Sequence, residues 1–178
     1  FHIGSQITDL TVFRGLCLRV NEIQSRLKEQ GIILPHVNFG GGLGINYDCP
    51  TCGLIPDFAS YFQIFADFFE AQPGQQLHFE LGRSLVGQCG SLISRVLYVK
   101  EGKHKKFVIL DAGMNDLLRP ALYQASHRIE NLTSVGEHEK YDVVGPICES
   151  SDCFGKDREL PLTNRGDLIA IRSCGAYG

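Results

Sequence analysis

Several short stretches of the chain carry residue types suited to chemistry. Phe1-His2-Ile3-Gly4-Ser5-Gln6 offers an imidazole and a hydroxyl. Gly40-Gly41-Gly42-Leu43-Gly44 follows a predicted strand, and its glycines let backbone N–H groups approach an anion closely. It lacks the Lys and Ser/Thr of a P-loop, and no helix opens at once as a dinucleotide fingerprint requires. Glu80-Leu81-Gly82-Arg83 sets a carboxylate and a guanidinium at the end of another predicted strand. Gly145-Pro146-Ile147-Cys148-Glu149-Ser150 places a thiol beside a carboxylate. Free cysteine thiols have a pKa of ~8.5, which makes a thiol chemically suited to act as a proton donor near neutral pH. Gly175-Ala176-Tyr177-Gly178 adds a phenol. Each stretch alone also has a structural reading: a tight turn for the glycines, a satisfied structural histidine for His2, an ion pair at a turn for Glu80 and Arg83, and a buried thiol next to a surface carboxylate for Cys148 and Glu149.

The elements that must position these groups fall into two kinds. Leu10, Phe13, Leu16, Cys17, Val20, Ile23 and Leu27 recur at helical spacing, with Thr8 or Asp9 as a cap and Gly31 as a stop. His36 to Phe39 reads as a strand entering the glycine cluster. Pro56-Asp57 opens a second helix with an aromatic stripe from Phe58 to Phe69, and Leu77 to Leu81 reads as a short strand. Alternating strand and helix predicts parallel strands with functional residues at their carboxyl ends. Near residue 85 the pattern changes. Ser91 to Val99, Phe107 to Asp111, Tyr141 to Cys148 and Asp167 to Cys174 are β-branched or alternating runs, and Glu101-Gly102-Lys103 suggests an antiparallel hairpin. Arg119-Pro120 interrupts what would otherwise be a helix. An α/β piece over residues 1–84 is therefore followed by an all-β piece over 85–178, although the 178-residue length alone fits one domain.

Composition narrows the function classes. A formal net charge of -3 and a pI near 6.1 leave no electrostatic footprint for nucleic acid or an anionic membrane. No apolar run approaches the roughly 20 residues of a membrane span. Seven cysteines, an odd number scattered through the chain, fit a reducing, cytoplasmic setting better than a secreted disulfide framework. The sequon at Asn131 is then idle. Cys49-Pro50-Thr51-Cys52 is a single CxxC without a second pair, and two thiols in a loop is the preferred reading over a zinc site, so no metal is expected.

Taken together and in this order, the motifs resemble the fold-type III pyridoxal-phosphate decarboxylases. The run from Asp111 through Arg119-Pro120-Ala121-Leu122-Tyr123, and Cys148-Glu149-Ser150-Ser151-Asp152, are similar to stretches typical of the members that act on diaminopimelate. Ornithine-type relatives usually carry Asp where Glu149 stands. The resemblance implies residues 1–84 as the C-terminal part of a (β/α)8 TIM barrel that binds pyridoxal 5'-phosphate. It implies 85–178 as an incomplete β domain of β-sandwich or Greek-key barrel type with substrate and catalytic residues. It further implies that His2 lies against the cofactor ring, and that Ser5, Gly41 and Gly42 hold the phosphate with the loop at Leu81, Gly82 and Arg83. Tyr177 would touch cofactor or substrate.

In the same reading Glu80 keeps the ring nitrogen protonated, Cys148 is the general acid, and Glu149 binds the distal ammonium of the substrate. Arg119, helped by Tyr123, binds the distal carboxylate, and Arg83 and Tyr177 are also placed against the substrate. The implied reaction is decarboxylation of meso-2,6-diaminopimelate to L-lysine and CO2 by a homodimer whose active sites take Cys148 and Glu149 from the partner subunit. Leu81 departs from the family's usual proline, which changes turn stiffness rather than role. The lysine that forms the Schiff base with the cofactor is not matched by Lys28, Lys100, Lys103, Lys105, Lys106, Lys140 or Lys156, so the chain is expected to be an internal piece of a longer protein. A decarboxylase of arginine, ornithine or carboxynorspermidine, and a non-catalytic binding protein derived from a decarboxylase, are the alternatives.

Overall fold

The computed structural model describes residues 1–52 and 56–177. It divides into two compact units, Phe1–Asn46 with Cys52–Leu85, and Tyr47–Thr51 with Val86–Gly178.

In the first unit, helix α1 (Thr11–Glu29) buries Phe13, Leu16, Cys17 and Val20, the i, i+3, i+4, i+7 face that its sequence encodes. The expected side-chain cap is displaced: Leu10 is the capping residue, and the Asp9 carboxylate accepts instead from the Thr11 N–H and hydroxyl at 2.9 and 2.7 Å. Gly31, at φ +78°, ends the helix. Strand β1 (His36–Asn38) pairs in parallel with β2 (Gln76–His78), Val37 opposite Leu77. Helix α2 (Phe58–Phe68) joins them, its first turn capped by the Asp57 carboxylate, which accepts from Ser60 N–H at 3.0 Å. The aromatic stripe packs the core as expected, with Phe13 edge-on to Tyr61 at 4.9 Å and Phe39 against Phe65 at 4.8 Å. Burial of such rings contributes about 1.5–3 kcal/mol each.

Parallel pairing extends past the strand ends. Glu80 N–H donates to Gly40 O, Ile7 N–H to Gly42 O, and Gly44 N–H to Ile7 O, each at 2.8 Å. The His2–Ser5, Gly40–Gly44 and Glu80–Arg83 segments are thereby drawn to one edge of the unit.

The second unit is a six-stranded mixed sheet of β3 (Ser91–Glu101), β4 (Lys106–Leu110), β5 (Ile129–Asn131), β6 (His138–Val144), β7 (Cys153–Pro161) and β8 (Leu168–Arg172), ordered β5-β8-β3-β4-β6-β7. The β3–β4 hairpin is antiparallel, as the Gly102 turn predicts. Val96, Val108, Leu110, Val143, Phe154, Ile169 and Ile171 fill the core. This unit also holds the short helix α4 (Arg119–Tyr123), whereas α3 (Arg83–Val86) falls where the first unit's residues end.

Several sequence expectations are corrected here. Pro120 does not break a helix; it sits in the first turn of α4, where its missing N–H costs nothing. The run expected to be a strand to Cys148 ends at Val144, freeing 145–152 as a loop. Strand β7 was not predicted, because Gly155 and the left-handed Asp157 (φ +51°) interrupt its alternation. That turn is fixed by the buried Asp142, which accepts from Asp157 N–H at 2.8 Å and from the Lys105 ammonium at 2.9 Å.

Burial pushes the Asp142 carboxyl up, but Asp157 N–H and Lys105 outweigh it and hold the group below its ordinary value. A depressed folded pKa stabilises the fold above the unfolded value of ~3.9, and that contribution disappears as pH falls through the folded value. Thermal melts from neutral to acid pH should therefore show an acid limb that Asp142→Asn flattens.

Cys49 and Cys52 are disulfide-bonded rather than free thiols, which corrects the expectation for that pair and leaves neither thiolate for a metal. Among the described residues no helix is long and apolar enough to cross a membrane.

Candidate active site

The first unit assembles an anion cradle. Gly40, Gly41 and Gly42 are glycine for packing reasons as much as for ligand approach. Gly40 and Gly42 have φ of +71° and +102°, and a Cβ at any of the three would strike backbone, that of Phe1, Glu80 and Gly4 respectively. The N–H groups of Gly41 and Gly42 donate to no other described residue, so two adjacent backbone donors are available to an anion. On the same edge the Arg83 guanidinium donates to the Ser5 hydroxyl at 3.1 Å. Two amides, a hydroxyl and a guanidinium form a donor set suited to a phosphate group. Gly41→Ala should drive its methyl into the Glu80 carbonyl, cost roughly 3 kcal/mol or more as an overpacking and backbone clash, and release any bound phosphate ester. Thermal melting and cofactor retention measure both.

Glu80 is held by a residue that the sequence did not single out. Asn38 donates its amide to Glu80 Oε1 at 2.6 Å, and its own carbonyl oxygen accepts from Gly40 N–H at 2.8 Å. Asn38 thus links the carboxylate to the glycine turn. Its signal was faint, an amide two residues before a glycine cluster and on the same strand face as His36. His36 and His78 meet on that face at 3.1 Å. His2 is exposed, and Leu81 is half-buried against the first unit's core.

The second unit holds two further groups. Cys148 and Glu149 lie exposed on the 145–152 loop, and Glu149 accepts from Ser151 N–H at 3.3 Å. The loop is pinned by Asp152, which is 3% exposed. One of its carboxylate oxygens accepts from Met114 N–H and the other from Ile147 N–H, both at 2.7 Å. The loop carrying Cys148 is therefore tied to the Asp111–Asp116 turn through the Asp152 side chain, and Gly145 is glycine because a Cβ would meet the same carboxylate. Asp152→Ala leaves two backbone donors without their acceptor, at about 2–4 kcal/mol. A fall in melting temperature and faster proteolysis around Cys148 are the expected readouts.

Arg119, at the start of α4, is only 8% exposed. Its guanidinium stacks over the Tyr47 ring at 4.2 Å and reaches His127 Nε2 at 2.8 Å. Tyr123 ends the same helix and is exposed, followed by Gln124 in the left-handed region at φ +52°. Tyr177 is exposed with φ +60°, and Gly178 lies outside the described residues. The structure thus joins Ser5 with Arg83 and Glu80 with the glycine turn in one unit, and sets Arg119 on a short helix and Cys148–Glu149 on a pinned loop in the other.

Comparison with known proteins bears on what these groups serve. A family model described as pyridoxal-dependent decarboxylase, C-terminal sheet domain, matches residues 7–175. The chain belongs to this family. Among pyridoxal-dependent decarboxylases it is 62% identical over 178 residues to a diaminopimelate decarboxylase of Bacteroides thetaiotaomicron, covering 100% of this chain and 46% of that protein. It is 45% identical to the Vibrio cholerae diaminopimelate decarboxylase, covering 99% of this chain and 42% of that one. The crystal structure of the Helicobacter pylori diaminopimelate decarboxylase complexed with L-lysine superimposes with a TM-score of 0.89 at 43% identity, over 100% of this chain and 43% of that chain. The chain spans less than half the length of these relatives.

Proposed function

We propose that the chain is part of a diaminopimelate decarboxylase, which converts meso-2,6-diaminopimelate to L-lysine and CO2 with pyridoxal 5'-phosphate. The observation that carries this reading is the 62% identity, over the whole chain, to a protein of that name. In this reading the first unit is a late portion of a (β/α)8 barrel and the second is part of a β-barrel or sandwich domain. The Schiff-base lysine comes from a part of the protein outside this chain.

The cofactor, when bound, supplies the electron sink for loss of CO2. Everything else falls to the protein's own residues. Gly41 and Gly42 N–H, Ser5 and Arg83 would hold the phosphate, and His2 would cover the ring. Glu80, which Asn38 steadies at 2.6 Å, would face the ring nitrogen and favour its protonated form. Cys148 delivers the proton that replaces the carboxylate. Arg119 and Tyr123 bind the distal carboxylate, Glu149 the distal ammonium, and Arg83 and Tyr177 complete the substrate contacts. In this reading the full-length protein is a homodimer, with Cys148 and Glu149 serving the partner's site.

The assay follows CO2 and lysine released from meso-diaminopimelate by the full-length protein, with ornithine, arginine and carboxynorspermidine as competitors. Preferred turnover of diaminopimelate is expected. Preference for one of the others would reassign the substrate, and a protein that binds cofactor but turns over none of them would favour a binding role.

A further inference from the structure

We infer that His127 is a specificity-determining positioning residue: it fixes the Arg119 guanidinium, and through it the recognition of a substrate that carries a carboxylate at the end remote from the reaction. This rests on the proposed diaminopimelate reading for what Arg119 binds. The geometry is that of a prearranged guanidinium. His127 is fully buried. An arginine can only donate, so the 2.8 Å contact from Arg119 Nη1 makes His127 Nε2 an acceptor. The other ring nitrogen, Nδ1, sits 2.8 Å from the Arg172 carbonyl oxygen, which can only accept. Both partners therefore demand the same neutral tautomer, with the proton on Nδ1. The Arg172 carbonyl belongs to β8, where Arg172 pairs with Ser91 on β3, so the imidazole is referenced to the sheet rather than to a loop.

Tyr47 completes the arrangement. Its ring lies edge-on to His127 at 4.8 Å and under the Arg119 guanidinium at 4.2 Å, and Arg128 N–H donates to its carbonyl at 3.1 Å. The guanidinium thus has one face on an aromatic ring and one terminal nitrogen on a neutral acceptor, both supplied from outside α4. A side chain with this many rotatable bonds would otherwise lose its rotamer freedom only when substrate arrives. Holding it beforehand strengthens binding of the carboxylate and discriminates against ligands without one.

The test uses the full-length enzyme with His127→Leu. L-Lysine, the product, retains the carboxylate remote from the reacting centre, whereas 1,5-diaminopentane lacks it. The variant should weaken lysine binding, measured by calorimetry, by roughly 10–100-fold and raise KM for meso-diaminopimelate by a similar factor. Binding of 1,5-diaminopentane, kcat and the cofactor absorption spectrum should stay within about twofold. Gln at this position places a carbonyl oxygen near the site of Nε2, so His127→Gln should recover most of the lysine affinity, and His127→Asn, which is too short, should not. If His127→Leu fails to fold, the Gln and Asn pair decides the matter. Equal lysine affinity in both, or equal losses for lysine and 1,5-diaminopentane, would overturn the positioning role. A wild-type protein that neither binds lysine nor decarboxylates diaminopimelate would instead overturn the reading beneath it.

Discussion

Cys148→Ala is expected to lower kcat for lysine formation by about 10²–10⁴-fold, the usual contribution of a positioned general acid, with KM changed little. The thiol is exposed on a loop that Asp152 holds at two points, so its removal would delete the proposed proton donor without disturbing a core. Cys148→Ser retains an O–H of much higher pKa and should recover only a small part of the rate. A melting temperature and cofactor spectrum equal to wild type would confine the defect to proton delivery. An unchanged rate would take Cys148 out of the reaction. Mixing Cys148→Ala subunits with Glu80→Ala subunits tests whether the two halves of a site come from different chains. Mixed dimers in which one site has both intact residues would regain activity that neither parent has, and no regain would argue for sites built within one subunit.

What the sequence disclosed depended on how locally each feature is encoded. Helix α1, the aromatic face of α2 and the β3–β4 hairpin are written in periodicities of a few residues and emerge as expected. Strand β7 was illegible because its stabilisation is non-local: Asp142, from β6, holds the left-handed Asp157, and the register with β6 shifts there. The same distinction divides the site. Residues in runs of recognisable chemistry, such as Cys148-Glu149 and Glu80 to Arg83, could be named in advance. Asn38, Asp152 and His127 act on groups 42, 38 and 8 positions away in sequence. Asn38 carries only a faint local signal and Asp152 only its place at the end of the Cys148 motif, and neither reveals the distant group it holds. The glycine run was legible as an anion cradle, but its steric necessity against the Phe1, Gly4 and Glu80 backbones was not. Supporting residues are harder to read than reacting ones because their role exists only in the folded pairing.

Arg119→Ala should reduce kcat/KM for meso-diaminopimelate by roughly 10²–10³-fold, equivalent to about 3–4 kcal/mol, while leaving cofactor affinity near wild type. The size follows from burial in the proposed role: Arg119 is 8% exposed, so a carboxylate bound to it would meet it where water competes poorly and would lose its partner in the variant. Arg119→Lys should not rescue the activity. An ammonium is a compact, strongly hydrated charge that cannot both stack on Tyr47 and offer a planar pair of donors while bonded to His127. The alanine variant also leaves a hole beside His127 and Tyr47, so a modest fall in melting temperature is expected with it. The decisive comparison is therefore between ligands rather than between proteins. If Arg119 reads the remote carboxylate, Arg119→Ala must weaken lysine far more than 1,5-diaminopentane, and a loss shared equally by the two would reduce Arg119 to a structural residue.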